Sequence, residues 1–226
     1  MKIIIITDDS SVKFPPFNKW KNKFGRGTDI SKNLDIISVL NEENSSVPTD
    51  DIYKEFFYQK ILEPFIRPAR FMFSGNFLEV AQFADTLSKL LPTEIFIVSG
   101  RYGLINEKSK IIPYQLHIDT TEKLIELDQR TKLLSNIQKL LQKDVICLVL
   151  LPKHYIQFLL KNKIFQHNLS ENLIVVSLGE FEESLKKSEN IIFLNRPGVA
   201  RIGKQNREKI IEFIDRKLSE NNNSLI

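Results

Sequence analysis

The sequence predicts a single-domain α/β fold with a largely parallel sheet and helices on both faces. Three observations carry this expectation. Short apolar runs rich in Ile, Val and Leu occur at residues 2–6, 34–40, 94–98, 145–151, 173–177 and 191–194, and they read as buried strands. Most are separated by stretches with helical hydrophobic spacing, and alternation of this kind implies parallel strands joined by helical crossovers. The chain has 226 residues, suits one domain, and carries no repeat or linker that would split it. The domain is expected over 1–219, with a frayed polar tail at 220–226.

The elements follow in order. The first strand, 2–6, ends at Thr7-Asp8-Asp9-Ser10, a polar turn-forming run. An irregular basic and aromatic insertion spans 10–33, with Pro15-Pro16 and Gly25-Arg26-Gly27 inside it. A second strand is expected at 34–40. A helix capped by Asp50 or Asp51 runs to about 66, where Pro64 and Pro68 end or kink it. An extended piece at 70–73 precedes Ser74, a suitable N-cap for a helix over 76–90. After the strand at 94–98 and an irregular stretch at 106–117, one long helix is expected from Thr120 or Thr121 to 142. Its stripe is Leu124, Leu127, Thr131, Leu134, Ile137 and Leu141. The 145–151 strand, broken by Pro152, reads as central. A helix at 153–162, strands at 173–177 and 191–194 flanking a small helix, a loop at 196–203 and a helix at 204–219 complete the chain.

Composition narrows the classes. No apolar run approaches the roughly 18 residues of a membrane span, and residues 2–7 are too short for the apolar stretch of a secretory signal. One cysteine, Cys147, excludes an internal disulfide. With only three scattered histidines, a structural zinc site is not expected. A cytoplasmic protein without membrane partner or cofactor is the expectation. The net charge is +4, but it is concentrated. Residues 10–33 hold six basic residues against one acidic, and residues 196–217 seven against three. Such segments attract phosphates, unless they are simply solvated faces.

The most informative stretch is Ser99-Gly100-Arg101-Tyr102-Gly103-Leu104, which leaves a buried strand at the end where open parallel sheets bind ligands. Gly100 and Gly103 permit a tight turn and close approach of a ligand to the backbone. Ser99 offers a hydroxyl, Arg101 a cation and Tyr102 an aromatic ring. It is a candidate anion or nucleobase site, or a turn with Tyr102 packed and Arg101 solvated. Neither a P-loop nor a GxGxxG fingerprint is present.

Further motifs accompany it: Pro113-Tyr114, Lys153-His154-Tyr155-Ile156-Gln157-Phe158-Leu159, and Ile202-Gly203-Lys204-Gln205. Together with Ser-x-x-Tyr-Gly-Leu these resemble a group of poorly characterised bacterial, archaeal and phage domains. That group is related more distantly to YaaA-like proteins and to the glycosylase-like domain of archaeosine synthase. The resemblance spans about 73–217. It implies a three-layer sandwich akin to uracil-DNA glycosylases, and a link to nucleic acids or their modified bases. The chain lacks the water-activating loop and the His-Pro-Ser motif of those glycosylases. If the chain is an enzyme acting on a base or nucleotide, Ser99, Arg101 and Tyr102 are the candidate catalytic residues. Gly100, Gly103, Tyr114, His154 and Tyr155 are the candidate substrate contacts.

Four other features could carry chemistry. Arg196, Arg201, Gly203 and Lys204 open the last helix, and a glycine-preceded helix start with flanking cations suits a phosphate. Phe14, Phe17, Trp20 and Phe24 interleave with Lys19, Lys21, Lys23 and Arg26, the pairing of rings and cations that single-stranded nucleic acids favour. Asp8 and Asp9 could cap a turn, hold a divalent metal or activate a water. His117, near Tyr114 and Asp119, could serve as an acid or base, or be an ordinary surface histidine. Cys147, mid-strand among apolar residues, reads as core. The functional expectation is a nucleic-acid-associated protein with DNA or RNA as partner, acting on a base or nucleotide at 99–104. A non-catalytic DNA- or RNA-binding stress protein and a small-molecule nucleotide enzyme are the alternatives.

Overall fold

A computed structural model describes residues 1–14, 30–141, 145–166, 169–188, 190–196, 198 and 200–223. The first half contains β1 (Ile3–Asp8), α1 (Leu34–Glu42), α2 (Glu55–Ile61), β2 (Arg67–Pro68), α3 (Ala69–Met72), α4 (Asn76–Leu87), β3 (Thr93–Ser99), β4 (Gly103–Asn106) and β5 (Lys110–Ile111). The second half adds α5 (Thr121–Thr131), α6 (Leu133–Leu141), β6 (Ile146–Leu150), α7 (Lys153–Lys161), β7 (Leu173–Ser177), α8 (Glu182–Lys186), β8 (Ile191–Asn195) and α9 (Lys204–Asn223).

Six strands form one sheet in the order β4-β3-β1-β6-β7-β8, and all neighbours are parallel except the β3/β4 hairpin. β2 and β5 form a separate two-stranded antiparallel pair. The period-2 alternation of each strand sorts its residues between two apolar layers. Ile4, Ile6, Cys147, Val149, Leu173 and Val175 pack with α5, α6, α7 and α8. Ile3, Ile5, Ile146, Leu148, Leu150, Ile174 and Val176 pack with α3, α4 and α9. The fold is therefore a three-layer α/β sandwich. Residues Ile3–Ile6 are wholly buried because β1 lies between β3 and β6 with helices on both sides. A satellite cluster of Ile30, Ile36, Leu40, Tyr58, Leu62 and Ile112 holds α1 and α2 to the body.

Several sequence expectations are corrected. Residues 34–40 form a helix, not a strand. Asn33 caps it by accepting the Ile36 N–H at 3.1 Å, and the buried pair Ile36 and Leu40 has i,i+4 spacing while Leu34 is 79% exposed. The single helix expected over 121–142 is two, α5 and α6, divided at Lys132, which is left-handed (φ 55°). The helix expected to run to 66 is α2 flanked by 3-10 turns at Ile52–Lys54 and Glu63–Phe65. The extended piece at 70–73 is mostly the single turn α3, with Phe73 bridging antiparallel to Lys13. The 103–106 segment is a strand, and α9 continues to Asn223 into the expected tail.

Candidate active site

β1 is where the chain reverses its direction of sheet growth: it crosses to β3 on one side, then later to β6 on the other. Open α/β sheets bind ligands outside the carboxyl ends of strands at such a point. Here that end carries Asp8 and Asp9. A polar cleft of about 130 Å³ opens there, walled by Asp8, Asp9, His117 and Arg201 and completed by Ser10, Ser11, Asn76 and Phe77.

The two aspartates have separate partners. Asp8 receives a two-pronged contact from Arg201, Nε to Oδ1 at 2.8 Å and Nη2 to Oδ2 at 2.9 Å. Burial nevertheless holds its carboxyl above the usual aspartate value, with Arg201 opposing that shift. Asp9 has a fully buried side chain. Its Oδ2 accepts the Tyr114 hydroxyl at 2.6 Å and the Gly100 N–H at 3.1 Å. The buried Lys13 ammonium lies 3.9 Å from the same oxygen and 4.8 Å above the Tyr114 ring. Oδ1 faces His117 Nδ1 at 3.3 Å. An ionised carboxylate only accepts, so opposite one Nδ1 is the donor of this contact, and a neutral imidazole then has its lone pair at Nε2. A buried carboxylate that orients an imidazole in this way is the arrangement of a general base. The His117 side chain is 33% exposed, within reach of a molecule in the cleft.

The Ser99 turn supports this pair from behind. Tyr114 has one hydroxyl hydrogen, given to Asp9, so Ser99 donates in its 2.7 Å contact with Tyr114. Ser99 Oγ in turn accepts the N–H groups of Arg101 (3.2 Å) and Tyr102 (3.0 Å). Both lone pairs and the hydrogen are thus used, and the residue is fully buried, so Ser99 lacks the free lone pair of a nucleophile. It stiffens a relay that runs from the turn through Tyr114 to Asp9. Gly103 is required here, since its φ is +72° and a Cβ would meet Thr131 Oγ1 at 2.5 Å.

Arg101 and Tyr102 face away from the cleft chemistry. The guanidinium is buried and donates to the carbonyls of Thr49 (2.6 Å) and Asp51 (3.1 Å) and to Glu55 Oε2 (3.0 Å from Nε). The Tyr102 hydroxyl donates to Glu55 Oε1 at 2.9 Å. Together they fasten the start of α2 to the β3/β4 turn. Arg130 binds the turn from the other side, through the carbonyls of Gly100 and Arg101.

The basic loop before α9 is corrected more sharply. The anion that its helix start favours is a side chain of the protein itself. Glu79 of α4 accepts the N–H of Arg201 (2.9 Å) and of Gly203 (3.0 Å) and pairs with Arg207 (3.2 Å). Burial would raise the Glu79 carboxyl, but those N–H groups and Arg207 outweigh it and hold it below the ordinary value. Arg196 is buried and donates to the carbonyls of Gly198 (3.0 Å) and Ala200 (2.6 Å). Of the expected phosphate-binding set, Lys204 is the exposed member.

His154 gives its Nε2–H to the Ile118 carbonyl at 3.2 Å, which ties the first turn of α7 to the residue after His117. Burial lowers its pKa. Tyr155, next to it, is 1% exposed. Cys147 is wholly buried and its thiol is pushed up to about 12, unsuited to nucleophilic work. Among the described residues, no group of three or more His, Cys, Asp or Glu is placed to hold a metal ion, and no helix is long and apolar enough to cross a membrane. Phe17, Trp20, Phe24, Lys19, Lys21, Lys23 and Arg26 of the basic insertion lie outside the described residues. Glu79, Glu55 and Lys13 were not singled out by sequence reasoning, and nothing in their local sequence marks them. Comparison with protein-family models, with curated proteins and with solved structures finds no match.

Proposed function

We propose that this chain is a hydrolase of N-glycosidic bonds in a nucleoside, a nucleotide or a nucleotide unit, with His117 as general base. The observation that carries this reading is the Asp9–His117 pair, Oδ1 to Nδ1 at 3.3 Å, opening into a polar cleft at the β1 switch point. A water held at His117 Nε2 gives it a proton and attacks the anomeric carbon. The carbon–nitrogen bond breaks, the base leaves with the electron pair, and the proton returns to the departing nitrogen. Positive charge builds on the sugar ring during such a step, and the carboxylates of Asp8 and Asp9 lie where they would stabilise it. A cleft of about 130 Å³ suits one ring, not a whole nucleotide, so the remainder of the substrate extends outside.

The resemblance of residues 73–217 to poorly characterised domains linked to nucleic acids or their modified bases points to the same class of ligand. The test is base release from a panel of ribo- and deoxyribonucleosides, their monophosphates and base-modified oligonucleotides. Wild type is expected to release base from at least one, and His117→Ala to slow release by about 10²–10⁴-fold. Turnover unaffected by His117→Ala would overturn the assignment.

A polymer-bound base is a second reading, favoured by one observation. Ser10 and Ser11, which begin one basic segment, and Arg201, from the other, line the same cleft. Lys204 and Lys209 are exposed cations of α9, the helix that follows Arg201. Binding of labelled single-stranded DNA or RNA should then weaken with salt, and Lys204→Ala/Lys209→Ala should flatten the salt slope by up to about two units. Indifference to nucleic acid at low salt would leave the free nucleoside or nucleotide as substrate.

A further inference from the structure

Lys13 carries an amine into the interior of the domain, where the residue is 1% exposed. Its backbone is fixed by the antiparallel bridge to Phe73. On either side of that bridge the Phe14 N–H donates to the Met72 carbonyl at 2.6 Å and the Ser74 N–H to the Val12 carbonyl at 2.9 Å. The side chain reaches three parts of the candidate site. Nζ lies 3.9 Å from Asp9 Oδ2, stands 4.8 Å above the Tyr114 ring and donates to the Leu116 carbonyl at 3.4 Å. An anion, a ring face and a carbonyl oxygen each favour the ammonium over the neutral amine.

These contacts converge on the Asp9–His117 pair. Asp9 meets His117 through Oδ1, and Lys13 approaches the other oxygen, which also accepts the Tyr114 hydroxyl at 2.6 Å. The Leu116 carbonyl belongs to the peptide that joins Leu116 to His117, so Lys13 also holds the backbone from which the imidazole projects. Lys13 is not among the walls of the cleft, and it acts through these neighbours rather than on a ligand.

The charges around the pair give that contact a purpose. Asp8 is offset by Arg201 and Asp119 by Lys123 at 2.7 Å. Burial keeps Tyr114 protonated and disfavours the charged form of His154. A carboxylate 3.3 Å from Nδ1 with no cation of its own would draw a proton onto His117 and so occupy the base. Lys13 supplies the opposite charge for Asp9.

We propose that Lys13 is a positioning residue for this pair: its ammonium balances Asp9 and anchors the His117 backbone, so that the carboxylate orients the imidazole without drawing a proton onto it. This rests on the glycosidic reading of the cleft and adds to it how the base is kept ready.

Lys13→Met keeps the length of the side chain and removes the charge. The His117 ring, assigned with His117→Gln, is followed by NMR against pH in wild type and Lys13→Met, with base release measured over the same range. The titration midpoint of the ring should move up by about one pH unit in Lys13→Met, and the acid limb of base release with it. A purely structural role would lower stability and move neither. A midpoint that stays in place or falls would overturn the inference. Asp9→Asn/Lys13→Met should withstand more urea than Lys13→Met, because the carboxylate is no longer stranded. This comparison holds even if Lys13→Met folds poorly, and a double variant no more stable than the single one would overturn the inference. Base release by wild type with an unmoved midpoint in Lys13→Met would remove the role of Lys13 and leave the hydrolase standing. A raised midpoint with no base release by wild type would uphold Lys13 as the partner of the pair and remove the hydrolase.

Discussion

The backbone N–H of Gly203 donates to Oε1 of Glu79 at 3.0 Å, so the start of α9 is closed by a carboxylate from α4. A second prong from the Arg201 N–H and the Arg207 guanidinium complete the cradle. A free helix N-terminus recruits phosphate, whereas this one is already neutralised. Glu79→Ala should cost about 1–3 kcal/mol of stability through its unpaired donors. Inorganic phosphate should raise the melting temperature of Glu79→Ala and leave wild type unmoved. A phosphate-dependent rise of the same size in wild type would contradict the occupied cradle.

Glu79 also sets an acid dependence. Its folded pKa lies below the ordinary 4.5, so its contribution to stability is complete above that pH and is lost as pH falls through the depressed folded value. Chemical denaturation of wild type and Glu79→Gln across pH 3 to 6 should show the difference between them shrinking toward the acid end. A difference that stays constant with pH would remove Glu79 as its source.

Asp8 and Arg201 form a mostly buried ion pair, with 2% and 13% of their side chains exposed. Breaking such a pair from one side costs about 3–5 kcal/mol, because the remaining charge is stranded. Arg201→Met should therefore be strongly destabilising, and Asp8→Asn/Arg201→Met less so than the single change. A double-mutant cycle by urea denaturation measures the coupling; a coupling near zero would show that the pair is solvated.

Arg101 is a fastener of α2. Arg101→Ala removes the guanidinium that donates to the carbonyls of Thr49 and Asp51 and to Oε2 of Glu55. The expected loss is about 2–4 kcal/mol, with cleavage by protease rising first within residues 49–66. Cleavage elsewhere, with this segment still protected, would count against that role.

His154 is held neutral. Its folded pKa lies below 6.5, so the unfolded chain takes up the proton first and stability falls as pH drops below 6.5. Unfolding at pH 5.5 and 7.5 should show a loss in wild type that is smaller in His154→Gln. Equal losses in both would assign the pH effect to other groups.

Much of the scaffold was legible locally. The runs at 2–6, 94–98, 145–151, 173–177 and 191–194 are strands because continuous β-branched apolar stretches are stable only when buried on both faces of a sheet. The 34–40 run misleads because Ile36, Ile37, Val39 and Leu40 satisfy either period, and the Asn33 cap together with the packing of Ile36 and Leu40 against Tyr58 and Leu62 selects helix. The carboxyl ends of the strands, where the candidate cleft lies, were legible too, since they follow from parallel topology. The roles within it were not. Ser99, Arg101 and Tyr102 have the chemistry of a catalytic turn, yet their polar atoms are consumed by Tyr114 and by Glu55, 46 positions from Arg101.

By itself, then, the sequence determined the α/β alternation, the strand cores and the neighbourhood of the site, because hydrophobic period and turn chemistry act over a few residues. Only the tertiary structure decided which charged groups are paired within the chain and which meet in the candidate cleft. Asp9 meets His117 across 108 positions, Asp8 meets Arg201 across 193, and Glu79 meets Gly203 across 124. A charge's function depends on the partner that desolvates or neutralises it, and partners so distant in the chain are chosen by the packing of the sheet.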